Sequence, residues 1–207
     1  MPSVPPVALL ILPLLALAAC NRDPLMVERS PCPAVGIPVH VGSYTRFDPP
    51  ESRNADAIDF VAQLTDLSAS CTPGDTMLVS DVGFTVTAIR RQPGPAREVV
   101  LPIFVSLVQG GNVLVSKQLT AVSLRFPEGG LRAQARGGAR AEVARSAATL
   151  PQDIQRRITR QRRPRDEDAL IDPMSDPQVR AAVRAASFEV LVGFQLDDAA
   201  LAYNVGK

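Results

Sequence analysis

The sequence predicts a mainly β domain, an immunoglobulin-like β-sandwich with a short helical insertion, with an up-and-down β-barrel as the alternative. Three observations predict it. Apolar residues alternate with polar ones in a series of short segments, Gly- and Pro-rich turns recur at roughly ten- to fifteen-residue spacing, and one stretch only carries a helical period at length. No internal repeat is visible.

The first strand signal is Val39, Val41 and Ser43, with His40 inside it. Ile58, Phe60, Ala62 and Leu64 then alternate with polar neighbours. Thr65-Asp66 reads as a turn into a second strand through Leu67, Ala69 and Cys71, so that a strand pair ends at that cysteine. After Thr72-Pro73-Gly74-Asp75 the residues Val82, Phe84, Val86 and Ala88 alternate, up to the loop of Arg90, Arg91, Gln92, Pro93, Gly94 and Pro95. The clearest hairpin is central: residues 99–108 are apolar and β-rich, Gly110-Gly111 fits a primed two-residue turn, and residues 112–126 return. Pro102 has no amide hydrogen, which places it at an edge or a bulge. The return strand changes apolar phase between Val115 and Val122, which predicts a bulge near Leu119. A turn at Glu128-Gly129-Gly130 leads to an alanine- and glycine-rich strand over 131–143. Phe188, Val190, Val192, Phe194 and Leu196 form a late strand, and Leu191 on its other face places it inside a sheet.

The helical insertion covers about 150–186. Leu150, Ile154 and Ile158 repeat every four residues after Thr149, with Pro151 in the first turn, so the spacing predicts an amphipathic helix over 151 to about 162. Asp176-Pro177 starts a second helix carrying Val179, Val183 and Ala186, and Asp197-Asp198 caps a last turn with Leu201 and Tyr203.

An apolar run begins near Val7 and ends at Leu17-Ala18-Ala19-Cys20. It contains Pro13 and is too short to span a hydrocarbon core, which takes ~20 residues. Small residues directly before a cysteine resemble the lipobox of bacterial lipoproteins. That resemblance implies a signal peptide over residues 1–19, a lipidated Cys20, a tether over 20–31 and a single β-rich domain over 32–207. The n-region departs from the pattern, since residues 1–6 contain no Lys or Arg. In such lipoproteins an Asp directly after the lipidated cysteine favours inner-membrane retention; Asn21 stands here, which favours the periplasmic face of the outer membrane over the inner membrane. Of the three cysteines, lipidation removes Cys20 and leaves Cys32 and Cys71 as a disulfide pair in an oxidising compartment. Through Leu101-Pro102-Ile103-Phe104-Val105 and the ending Phe188-Glu189-Val190-Leu191-Val192-Gly193-Phe194-Gln195-Leu196, the mature part resembles uncharacterised envelope lipoproteins of alphaproteobacteria, a resemblance that implies no particular activity.

Function is bounded by exclusion and by one charged segment. Net charge is +1 and aromatics are 4% of residues, so neither a global field nor a stacking platform argues for nucleic acid. Of 22 basic residues only Lys117 and Lys207 are lysine. Arg156, Arg157, Arg160, Arg162, Arg163 and Arg165 crowd one segment followed by Asp166-Glu167-Asp168, which makes it a candidate contact for anionic envelope groups, because guanidinium pairs bidentately with phosphate. The competing reading is a solvated helix face neutralised by the adjacent acids and by Asp153 four residues before Arg157. His40 alone makes no metal set and no catalytic pair. Ser116-Lys117 lacks the S-x-x-K spacing, and Asp197-Asp198 and Asp48 with Glu51 fit caps and turns. No cofactor or metal is expected. The sequence therefore favours a non-catalytic envelope lipoprotein, held to the membrane by lipid on Cys20, that binds or supports another cell-envelope component. The alternative is a periplasmic hydrolase or small-ligand-binding lipoprotein whose site assembles from distant residues.

Overall fold

Alternating apolar residues build two four-stranded sheets that pack face to face, and the core lies between them. The computed structural model describes residues 29–160, 162 and 165–206. The chain divides into two units, Met1–Ser30 and Pro31–Lys207, and the second carries the fold. Cys20 and the apolar run before it lie outside the described residues. The strands are β1 (Ala34–Gly36), β2 (Ser43–Phe47), β3 (Ile58–Pro73), β4 (Met77–Arg90), β5 (Arg97–Gln109), β6 (Val113–Phe126), β7 (Arg132–Ala144) and β8 (Phe188–Phe194). One sheet has the order β1-β8-β5-β6 and the other β2-β3-β4-β7. All neighbours are antiparallel except β1 and β8. The architecture is therefore mainly β and sandwich-like, as the alternation predicts.

The predicted late strand is interior. Val190, Val192 and Phe194 are almost completely buried and Phe188 nearly so, and β8 pairs with β1 on one side and β5 on the other. Opposite them, Phe60, Leu78 and Val86 fill the space from the second sheet. Tyr44 lies 6.0 Å from the Phe60 ring and 6.1 Å from that of Phe194, so the aromatic contacts cross between sheets. Gly137 on β7 is required by packing: a Cβ there would fall 2.5 Å from the Phe84 ring.

Several expectations change on inspection. Residues 58–73 form one long strand rather than a strand pair. Thr65 faces Thr85 and Ser68 faces Gly83, so three steps on β3 match two on β4. One extra residue inverts the side-chain phase, which is why the apolar set moves from even to odd numbers there. The β6 bulge sits at Val115 instead of near Leu119, because Leu114 pairs with Val108 and Ser116 with Leu107. Beyond it Ser116, Gln118 and Thr120 keep the inward phase of Val122, yet every residue of 113–121 is exposed. Apolar periodicity cannot mark a bulge where neither face is covered. Pro102 is on an interior strand, not an edge. It lies one residue before the β5–β8 ladder starts at Ile103 and Phe194, and its carbonyl accepts from Gln195 N at 2.9 Å. The missing donor points past the end of β8, so no ladder bond is lost. His40 belongs to a loop, with φ 72°, and not to a strand.

The central turn has the expected primed backbone, with φ values of 64° and 81° at Gly110 and Gly111, which only glycine adopts readily in succession, but Gln109 pairs with Val113, so Asn112 also lies outside the ladder. Helices α1 (Arg145–Ala148), α2 (Gln152–Thr159) and α3 (Pro177–Ala185) form the insertion between β7 and β8, and α4 (Asp198–Val205) ends the described chain. Pro151 is the N-cap of α2 rather than a first-turn residue. Asp176 caps α3 by accepting from Gln178 N, and Asp197 caps α4 by accepting from Ala200 N.

Cys32 and Cys71 form a disulfide, with Cα atoms 6.1 Å apart, tying the start of the domain to the far half of β3. At the opposite end the buried Arg90 guanidinium donates to the carbonyls of Gly130 at 2.6 Å, Gly94 at 2.7 Å, Pro95 at 2.9 Å and Pro127 at 3.1 Å. It also stacks on Phe126, 5.3 Å from the ring centroid. Each of the three guanidinium nitrogens is thereby matched without a carboxylate.

Two outcomes follow for stability. Phe194→Ala removes a fully buried ring between the sheets and is expected to cost about 3–5 kcal/mol in chemical denaturation, where a surface site would change little. Cys71→Ser opens a loop of 39 residues; the chain-entropy estimate for that loop is about 4 kcal/mol, and non-reducing mass spectrometry of the native protein should find the Cys32–Cys71 cross-link.

Candidate functional site

The insertion carries its own small core. Leu150, Ile154, Val179 and Ala186 are buried together, with Ile158, Ala182 and Val183 against them. Burial of this face turns the polar side of α2 toward the loop before α3, as the four-residue apolar spacing requires. The result is a cleft of about 480 Å³ whose walls include Arg156, Arg157, Arg160, Arg162, Asp168 and Asp176.

Within it the arginines are sorted by their partners. Arg157 donates to the Asp176 carboxylate, and Arg160 donates to Asp168. Arg160 also lies 4.0 Å from Asp166, and Arg162 3.5 Å from Asp168. Asp153 is not the partner of Arg157; α3 brings Asp176 closer than the helix brings its own i−4 residue. Arg156 donates to the Gln152 carbonyl at 3.3 Å, and Arg165 is exposed. Arg163 lies outside the described residues. Three of the six candidate arginines therefore face carboxylates, and no carboxylate among the described residues pairs with Arg156 or Arg165.

Asp176 joins capping and ion pairing in one side chain. The backbone N–H of Gln178 and then the Arg157 guanidinium hold its carboxyl below the usual carboxylate range. Both favour the charged form, and both depend on α3 being formed and docked.

The other sequence candidates are structural. His40 Nδ1 lies 3.2 Å from the Asn204 carbonyl oxygen, to which it donates in the tautomer that carries the proton on Nδ1. Asn204, which carries no sequence signal beyond its place near the chain end, is buried and donates to the carbonyls of His40 at 2.7 Å and Ser43 at 2.8 Å. It pins α4 over the loop before β2, where Tyr203 meets Phe47 edge to face at 5.0 Å. Ser116 and Lys117 are exposed on β6, with the Lys117 ammonium 5.2 Å from the Phe104 ring centroid. Asp48 and Glu51 sit in an exposed turn. Among the described residues no group of three or more His, Cys, Asp or Glu is placed to hold a metal ion, and no helix is long and apolar enough to cross a membrane.

A second groove, of about 490 Å³, lies between α3 and the β5–β6 turn. Its walls include Gln109, Asn112, Val113, Arg180 and Arg184 and no carboxylate. Gln109 Nε2 donates to Ala185 O at 2.6 Å and Gly110 N to Ser187 O at 2.9 Å, which fixes the turn against the helix. Nothing in the periodicity of either segment places them together.

No protein-family model matches the sequence, and no curated protein or solved structure matches it either. Chemistry alone carries the functional reading.

The depressed Asp176 carboxyl gives a signed pH dependence. Its folded value lies below its unfolded one, so its contribution is present above the ordinary Asp range and is lost as pH falls through the folded value. Protection of the amides in the first turn of α3, taken relative to their intrinsic exchange rate at each pH, should fall on acidification below about pH 4. Asp176→Asn should show faster exchange there at neutral pH and little further change on acidification.

Proposed function

We propose that this chain is a non-catalytic envelope lipoprotein, anchored by lipid on Cys20, whose β-sandwich binds or supports another component of the cell envelope. The observation that supports it best is the arithmetic of the cysteines. Cys32 and Cys71 are bonded to each other, which calls for an oxidising compartment and leaves Cys20 of the three, directly after Leu17-Ala18-Ala19. A lipoprotein signal uses that remaining thiol. Asn21 after it fits export to the periplasmic face of the outer membrane.

The binding role is favoured by how the charged side chains are spent. In the α2–α3 cleft Arg157, Arg160 and Arg162 are engaged with Asp176 and Asp168, an arrangement that ties the segments of the insertion to one another. Loops at both ends of the sandwich are likewise held, one by Arg90 and one by the disulfide. A rigid body on a lipid tether suits a support or docking module.

The test is anchoring. In cells fed a tagged fatty acid, the native chain should incorporate label and yield a mature N-terminus at Cys20, whereas Cys20→Ala should remain an unlabelled precursor of full length. Membrane attachment and processing unchanged by Cys20→Ala would overturn the assignment.

A further inference from the structure

The point where the chain joins its domain lies on the same row of the sheet as an exposed apolar hairpin end. Ala34 pairs with Glu189, Glu189 with Val108, and Val108 with Leu114. Three strand spacings separate the first and last of these, roughly 14 Å. Cys32, two residues before Ala34, thus sits at the end of the sandwich that carries the β5–β6 turn and the helical insertion. Residues 20–31 precede it, and a chain of that length spans at most roughly 40 Å. A membrane-anchored tether would hold this end, not the Arg90 end, near the lipid surface.

The same end has the composition of an interfacial contact. Val113, Leu114 and Val115 are 54%, 59% and 50% exposed, three consecutive apolar residues that solubility does not call for. Beside them Arg180 and Arg184 line the groove against the turn, without a carboxylate in its walls. Arg180 is oriented by the carbonyls of Ser175 at 2.7 Å and Met174 at 3.0 Å. The stem of Arg184 lies against Gly110, where a Cβ would come within 3.1 Å of its Cγ. Neither guanidinium pairs with a carboxylate among the described residues, in contrast to Arg157, Arg160 and Arg162.

We infer that this groove and hairpin end form a contact surface for an anionic phospholipid bilayer, with Arg180 and Arg184 taking headgroup phosphates while Val113 and Leu114 enter the interface. Guanidinium suits phosphate geometry, and aliphatic side chains add the burial that makes such contacts more than electrostatic. The inference rests on the lipid-anchor reading for its orientation, and it moves the anion contact from the α2 arginines to those of α3.

The experiment uses the full chain, purified in its lipidated form and reconstituted into vesicles of phosphatidylcholine alone or mixed with phosphatidylglycerol. Flotation reports anchoring, and amide hydrogen exchange by mass spectrometry reports which surface meets the lipid. Residues 110–115 should exchange several-fold more slowly on the anionic vesicles, while residues 127–131 at the other end stay unchanged. The difference should vanish as salt rises from ~0.1 to ~1 M and the Debye length falls from ~10 to ~3 Å. Arg180→Gln with Arg184→Gln should float normally yet lose the protection, and Leu114→Ser, at an exposed position, should weaken it; slow exchange in β8 verifies that each variant is folded. Equal exchange at 110–115 on both lipids in a chain that floats would overturn this inference and leave the anchor standing. Failure to float with either composition would overturn both. Protection on neutral vesicles that grows with the protein-to-lipid ratio would give the surface to a second copy of the chain and overturn the lipid contact.

Discussion

Pairing of β8 between β1 and β5 is the constraint on which the rest of this structure depends. It joins the last strand to the first, across a separation that no local turn could bridge. Phe188, Val190, Val192 and Phe194 supply the middle of the inner face of one sheet, and Ala34, Val35 and Gly36 have β8 as their ladder partner. Such non-local pairing costs loop-closure entropy, which the Cys32–Cys71 bond offsets by restricting the unfolded chain. The disulfide and β8 act together. One fixes the segment before β1, and the other receives β1 itself.

The two ends of the sandwich are closed by different chemistry. At the Arg90 end, one guanidinium satisfies four carbonyls from two loops while lying over Phe126. Arg97 lies over both Phe60 and Phe126 and donates to Asp59 at 2.5 Å, so guanidinium groups and rings are layered at this end. A planar, delocalised cation suits this setting better than an ammonium would, because it can donate in several directions while stacking on a ring. The insertion end is closed by a separate small core and by Asp–Arg pairs, and it leaves apolar strand residues in solvent. Asymmetry of this kind gives the domain a direction. One end is closed by Arg90 and its carbonyls, and the other leaves Val113, Leu114 and Val115 exposed.

Arginine accordingly serves two purposes. Where a carboxylate or several carbonyls are within reach, the side chain is structural, as at Arg90, Arg97 and Arg157. At Arg184 the groove walls carry no carboxylate, and there we infer a contact for an external anion. Density of arginine along the chain does not separate the two cases, since the crowded α2 segment proves the better neutralised.

Local signals were enough to determine the β class, the glycine turn at Gly110-Gly111, the interior position of β8, and the helix starts at Asp176 and Asp197, because each depends on local period, backbone conformation or a side chain reaching its own next turn. The lipobox resemblance, by assigning Cys20 to lipid, implied the Cys32–Cys71 pair that the structure shows. Tertiary structure decided what alternation cannot carry: that Thr65-Asp66 is a bulge within β3 rather than a turn, since only the β4 partner distinguishes an extra residue from a reversal. It also decided that Val113 to Val115 face solvent and that Asp176, not Asp153, meets Arg157. Above all it placed Arg180 and Arg184 beside a hairpin end some seventy residues earlier in the chain, a juxtaposition created by β5–β8 pairing and by the docking of α3, which no spacing within either segment encodes.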